Sequence, residues 1–318
     1  MPTKGRGKKQ TSKLRTVESL TNGNFSWVNV KATTNKEILE LKKRFNFHED
    51  DLASALPPTQ RPQIVERDDY LFVIFMFPTY DRKAGIMHRT EVDFFLGKNY
   101  VVTVHQNKLE SIKRYYGQCA DAKTPECVTG EAGEVMYRIL YRLLRGIHEM
   151  LVHMGNDIDD MHEQVVEGAR KSHTIAEILR VKMNVSTLRS SVQSHKRLIS
   201  KLTSYGTQKM SWRQFDRAML ELKEDAKENW DLTQNYLDTI NAIHDAFTSS
   251  VSVKTGDIMK VLTLLTATML PLSLVTTTFA MDLEGMPFRG PGGFMIVFGV
   301  MIIMGVLSYW FYIKKRWL

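Results

Sequence analysis

The spacing of apolar positions changes character twice along this chain. In the first hundred or so residues, short apolar runs bounded by turn residues predict strands over 25–30, 71–77, 91–96 and 100–105, and a helix over 35–45. The run over 71–77 is unbroken apolar. Gly97-Lys98-Asn99 forms a tight turn between the last two strands, and Gly85 suits another. This part reads as a small sheet covered by helices. From about residue 130 the period becomes helical: Val135, Ile139, Leu143, Ile147 and Leu151 recur at every fourth position. A second run over 175–202 carries Leu179, Met183, Leu188, Val192 and Ile199. A third, over 212–250, sets Phe215, Met219, Leu222, Trp230, Tyr236, Leu237 and Ile240 among charges. Helices of this length need partners to bury their stripes. Finally come two apolar stretches, 261–280 and 294–313, each reaching the roughly 20 residues needed to cross a bilayer. Gly256 is the only glycine between Gly206 and Gly285. A lone glycine costs about 1 kcal/mol without ending a helix, so the last soluble helix continues into the first span. Pro271 should bend that span, which membrane helices tolerate where neighbours satisfy the freed carbonyl.

This patterning divides the chain into a disordered basic tail (1–20), an α/β domain (21–128), long cytosolic helices ending in a stalk (129–258), a first span (259–280), an outer loop (281–292), a second span (293–313) and a basic tail (314–318). The fold class is an α+β cytosolic domain followed by two transmembrane helices. No internal repeat is visible.

Composition changes that picture little. The chain has 318 residues and 43% hydrophobic content, and its mean hydropathy of -0.25 hides the concentration of apolar residues near the C-terminal end. The first fifteen residues are polar and basic with no apolar segment after them, so no signal peptide is expected and the bulk of the chain reads as cytosolic. The formal net charge of +8 invites a nucleic-acid reading, but no binding module accompanies the basic tail. The tail reads as disordered or drawn to anionic lipid headgroups. Cys119 and Cys127 fit neither a zinc spacing nor a disulfide framework, and in a reducing compartment they read as free thiols. No phosphate-cradling glycine loop and no catalytic motif is present, so no enzyme and no cofactor is expected.

Charge sets the orientation. Lys254 and Lys260 precede the first span and Lys314, Lys315 and Arg316 follow the second, whereas the link carries only Asp282, Glu284 and Arg289. By the positive-inside rule both termini are cytosolic. Two helices per chain cannot enclose a water-filled route, yet the first carries Thr263, Thr266, Thr268, Ser273, Thr276, Thr277 and Thr278. Met259, Leu262, Thr266, Leu270, Ser273 and Thr277 fall at steps of three and four on one face. In an oligomer that face would line a channel, apolar at its cytosolic end and hydroxyl-bearing further out, which suits a hydrophobic gate below a hydrated region. Ordinary helix packing through Ser and Thr is the alternative for the same spacing. At the outer mouth, copies of Asp282 would form a carboxylate ring that attracts cations.

These residues resemble a known family. Met259-Lys260-Val261-Leu262-Thr263, Leu270-Pro271-Leu272-Ser273 and Phe279-Ala280-Met281-Asp282, with Met286-Pro287 after them, resemble the CorA family of divalent-cation transporters. Gln60-Arg61-Pro62, Asp69-Tyr70-Leu71-Phe72, Phe95-Leu96-Gly97-Lys98-Asn99-Tyr100 and the closing Lys315-Arg316-Trp317-Leu318 extend the likeness over nearly the whole chain. The resemblance implies a homopentameric funnel in a plasma or inner membrane, conducting Mg²⁺, Co²⁺ or Ni²⁺, or Zn²⁺ in one branch, and held closed by cytosolic divalent ions between subunits. The family's mouth motif is Gly-Met-Asn. Here Ala280 and Asp282 replace its first and last residues, with Met281 between them, and Phe288-Arg289 stands where an acidic residue is common. A neutral amide ring holds a hydrated Mg²⁺ without stripping it, whereas a carboxylate ring adds charge that favours tighter binding or more easily dehydrated ions. Glu221 falls where the family places a carboxylate of its sensing site. His153, Asp157, Asp159, Asp160 and His162 form a further polar cluster, for which a solvated acidic face is the simpler reading. Two functions follow: metal-gated divalent-cation transport, or a non-conducting membrane-anchored regulator that keeps the scaffold.

Overall fold

The computed structural model describes residues 16–121, 126–128, 130–166, 173–209, 215–281 and 291–315. Among these, β1 (Val17–Asn22), β2 (Phe25–Val30), β3 (Gln63–Glu66), β4 (Tyr70–Asp81), β5 (Ile86–Gly97) and β6 (Tyr100–His105) form one sheet in the order β1-β2-β6-β5-β4-β3. Only β2 and β6 pair in parallel. The helices are α1 (Asn35–Arg44), α2 (Glu49–Ser54), α3 (Glu110–Asp121), α4 (Ala132–Val166), α5 (His173–Val192), α6 (His195–Lys209), α7 (Phe215–Ala280) and α8 (Pro291–Lys314). The chain divides into two units, residues 1–244 and 245–318.

In the first unit the unbroken apolar run of β4 follows from burial on both faces of the sheet. Phe72 and Ile74 join Phe95, Val102, Val104, Val28 and Val30 against Ile38, Leu41, Phe47 and Leu52 on and beside α1 and α2. On the opposite face Trp27 meets the edge of Tyr116 of α3 at 5.0 Å, and Phe77 meets the ring of His195 of α6 at 5.0 Å. The helical stripe read from the sequence lies in the core: Val135, Ile139, Leu143, Ile147 and Leu151 of α4 are all buried.

Strands β4 and β5 run twelve residues each, beyond the segments expected. The turn between them is the one Gly85 suits: its φ is +67°, a left-handed conformation that an L side chain resists. Asp81 Oδ1 accepts from the backbone N–H of Lys83 at 2.9 Å and of Ala84 at 3.2 Å. Asn184 of α5 then ties this hairpin to the helical layer, accepting from Met87 N at 2.8 Å and donating to Gly85 O at 2.9 Å.

Several expectations need correction. The tail is shorter than 1–20, because Val17 already pairs with Val30 in β1. The run over 175–202 is two helices, α5 and α6, and Leu179 and Met183 are exposed while Ile178, Val181 and Val185 are buried. The cysteines are not free: Cys119 and Cys127 are disulfide-bonded, with their Cα atoms 6.0 Å apart. Helix α7 does pass through Gly256 and Pro271 without a break.

In the second unit, α7 from residue 245 onward and α8 carry 18-residue stretches of mean hydropathy 1.8 and 2.2, with none of either stretch buried. A core helix of a soluble domain would hide that surface, so these two helices need an apolar solvent.

Candidate functional site

Within one chain, the first membrane-length segment of α7 has one side partly covered by α8 and the rest exposed. Leu264, Thr268, Pro271, Leu272 and Val275 are half-buried, and Thr268 Oγ1 lies in hydrogen-bond contact with the Tyr312 hydroxyl of α8 at 3.3 Å. On α8, Val297, Gly299, Met301, Met304, Gly305, Ser308 and Tyr312 are partly covered. The stripe Met259, Leu262, Thr266, Leu270, Ser273 and Thr277 is exposed throughout. At 3.6 residues per turn the two stripes of α7 lie about 180° apart, so the hydroxyl-bearing face points away from α8.

Hydrogen bonding decides what that face offers. Thr266 donates its hydroxyl hydrogen to Leu262 O at 2.8 Å, and Thr277 donates to Ser273 O at 2.8 Å. With its one hydrogen spent on the helix, each oxygen presents only lone pairs outward. The waters around a cation point their hydrogens outward, so such a wall suits a hydrated cation. Met259 and Leu262, about three and two turns before Leu270, keep the N-terminal end of the stripe apolar. At its C-terminal end α7 closes at Ala280, and Met281 N reaches Thr278 O at 3.3 Å with its side chain exposed. Asp282, the third residue of the expected mouth, lies outside the described residues.

Carboxylates in the first unit sort into three settings. Glu221 on α7 is exposed and accepts from Tyr137 OH of α4 at 3.1 Å. Burial, then this bond to Glu221, pushes the Tyr137 phenol up to about 12. One turn on, burial and the charges of Glu221 and Glu228 raise the Asp225 carboxyl. His153, Asp157, Asp159, Asp160 and His162 are all exposed, the solvated face anticipated, and no group of three or more metal-binding side chains occurs among the described residues. Asp51 is buried and takes both Nε (2.9 Å) and Nη2 (2.7 Å) of Arg67 plus the Tyr70 hydroxyl (2.6 Å). Burial alone would raise the Asp51 carboxyl; the Arg67 and Tyr70 hydrogen bonds outweigh it and hold it below the usual range.

The third setting was missed from sequence. Glu91 and Asp93 on β5 share one face of the sheet, and Asp93 is 1% exposed. Burial, reinforced by the neighbouring Glu91 charge, pushes the Asp93 carboxyl well above its ordinary value, and burial also raises Glu91. The available signal was two carboxylates two residues apart leading into the apolar Phe94-Phe95-Leu96.

A family model described as CorA-like Mg²⁺ transporter protein matches residues 22–315. The chain belongs to the CorA family. It is similar to the cobalt/magnesium transport protein CorA of Thermotoga maritima, at 23% identity over 295 residues that cover 92% of this chain and 83% of that protein. It is also similar to the cobalt/magnesium transport protein CorA of Methanocaldococcus jannaschii, at 21% identity over 299 residues, 92% of this chain and 91% of the relative. The complete structure of the CorA magnesium transporter from Methanocaldococcus jannaschii superposes with a TM-score of 0.81 at 18% identity, covering 95% of this chain and 94% of that one. The CorA match therefore takes in both units, and the expected fold class, an α/β layer with long helices followed by two membrane-length helices, is the CorA fold.

Proposed function

We propose that copies of this chain assemble around the exposed face of α7 as a passive inward route for divalent cations, with Mg²⁺ the first candidate and Co²⁺, Ni²⁺ and Zn²⁺ the others. One observation carries the reading: the stripe from Met259 to Thr277 is turned away from α8 and carries Thr266 and Thr277, whose hydroxyl hydrogens are already committed to the helix. A lone pair of helices in lipid has no use for such a face, whereas a ring of copies uses it as a wall. The relatives named above as cobalt/magnesium transport proteins support the choice of ion class. A homopentamer is the assembly the family resemblance implies. Lysines before the first span and after the second support a cytosolic location for both termini.

Drive and control follow from the same parts. Two positive charges gain roughly 4.6 kcal/mol per 100 mV of potential, so inward flow needs no nucleotide. Met259 and Leu262 form the gate, and cytosolic divalent ions, with Glu221 among their ligands, bias it shut. The test is ion uptake by liposomes holding the purified chain under an inward potential. Uptake of at least one of the four cations above protein-free vesicles is expected. Complete silence for all four would replace transport by the non-conducting regulator, the reading that Ala280 and Asp282 in the mouth motif favour.

A further inference from the structure

We infer that Glu91 and Asp93 form a site for a small hard divalent cation of the Mg²⁺ kind inside the sheet domain, separate from the ion route and independent of the transport reading. Asp93 sits mid-sheet, between Ile74 of β4 and Val104 of β6, in a position where the neighbouring strands offer apolar side chains. Its Oδ1 is buried and has no hydrogen-bond partner. An acceptor left bare there is unfavourable, because it has given up water without gaining a donor, so the arrangement calls for something to bind it. Glu91 stands on the same face, and its carboxyl meets that of Asp93 in hydrogen-bond contact. Among the described residues neither group forms an ion pair with a lysine, arginine or histidine.

Both carboxyls open on a cavity also lined by Thr33, Thr59 and Gln106 and by the apolar Ala55, Leu56 and Pro57. Gln60 N donates to Glu91 Oε2 at 2.7 Å, which pins the Glu91 carboxyl in place from the loop after α2. A proton shared between the two acids would quiet their repulsion but leave Asp93 Oδ1 bare. A cation on the cavity side answers both needs at once. The donor set is all oxygen, with no histidine or cysteine in the lining, which disfavours softer ions such as Zn²⁺. Two carboxylates with the remaining positions filled by water is the way Mg²⁺ is commonly held, because it sheds water reluctantly. Thr33, Thr59 and Gln106 supply oxygens for those waters. Bound there, the ion would link β5 to the loop that carries Gln60.

The probe is Fe²⁺ in place of Mg²⁺, bound to the full chain in lipid nanodiscs and triggered with ascorbate and peroxide so that it cuts the backbone nearest to it. Cuts are expected within residues 55–60 and around 91–93, suppressed by excess Mg²⁺ and reduced about tenfold or more in Glu91→Gln and Asp93→Asn. Cuts confined to the membrane helices or the α4–α7 face would overturn the site, as would cuts at 55–60 that persist in both variants. Should either substitution prevent folding, the map of the unmodified chain and its competition by Mg²⁺ decide the matter alone.

Discussion

A threonine on the outside of a helix looks the same in a sequence whether it packs, faces lipid or faces water. Thr266 and Thr277 each donate to the helix backbone and leave an acceptor outward, as Thr268 also does on the side toward α8, so in the proposed route they would meet the hydrogens of an ion's water shell. Asp282 adds the one full charge per copy expected at the mouth. Asp282→Asn should therefore shift ion preference toward the more strongly hydrated Mg²⁺, read by competitive uptake among Mg²⁺, Co²⁺ and Ni²⁺; an unchanged order would remove this residue from the filter. His195 makes a residue-scale prediction about stability. Its ring is buried between Phe75 and Phe77, Nε2 donates to Met76 O at 2.7 Å, and Nδ1 is bare. Burial lowers its pKa to about 4, against the partial support of the Met76 carbonyl. The unfolded chain takes up this proton near pH 6.5 and the folded chain does not. The contribution is thus complete above about pH 6.5 and lost as pH falls toward 4, at up to about 1.4 kcal/mol per pH unit. Unfolding measured between pH 7 and 4.5 should show a shallower fall in His195→Gln; an identical slope would mean that another group titrates.

At the scale of elements, the long periodic helices were legible and the short ones were not. Helix α4 repeats an aliphatic residue every turn, and every member of that stripe is buried. Helix α2 is six residues, too short to show a period, and α3 buries Ile112, Tyr115, Tyr116 and Cys119, a stripe short on aliphatics. Edge strands β1 and β3 were missed because they are largely polar and only partly covered, so neither an apolar run nor a clean alternation marks them. No glycine or proline announces the break between α5 and α6 at 193–194. The Cys119–Cys127 pairing needed the distance between the two Cα atoms, and Asp93 needed a cavity. Asn184 of α5 holds the β4–β5 turn from the helical layer: Asn184→Leu strands Met87 N–H and Gly85 C=O and should destabilise the first unit by about 1–3 kcal/mol in a denaturant titration. No loss would show that water replaces both bonds. The ion pair between Asp51 of α2 and Arg67, in the turn between β3 and β4, makes a similar claim. Asp51→Ala leaves the partly exposed Arg67 guanidinium and the Tyr70 hydroxyl without their partner and should cost about 1–3 kcal/mol, whereas no measurable loss would place Asp51 outside the determinants of this packing.

For the whole molecule, the family, the fold and the two membrane-length helices were within reach of the sequence, because the motifs around Leu270-Pro271 and Phe279-Ala280-Met281-Asp282 carry the CorA resemblance. What the sequence left open was whether the threonine stripe packs or lines a route; within one chain α8 covers the other side of α7 and leaves the stripe exposed. The central claim is that this free stripe, contributed by several copies, lines the route that cations take. It is tested most directly by single cysteines placed on each side of α7, Ser273→Cys and Thr277→Cys against Leu264→Cys and Val275→Cys. In proteoliposomes taking up Mg²⁺ or Co²⁺, a small water-soluble thiol reagent is added and the remaining uptake measured. Block of uptake at positions 273 and 277 with little effect at 264 and 275 is the predicted result; block only at 264 and 275, or at none of the four, would contradict the account.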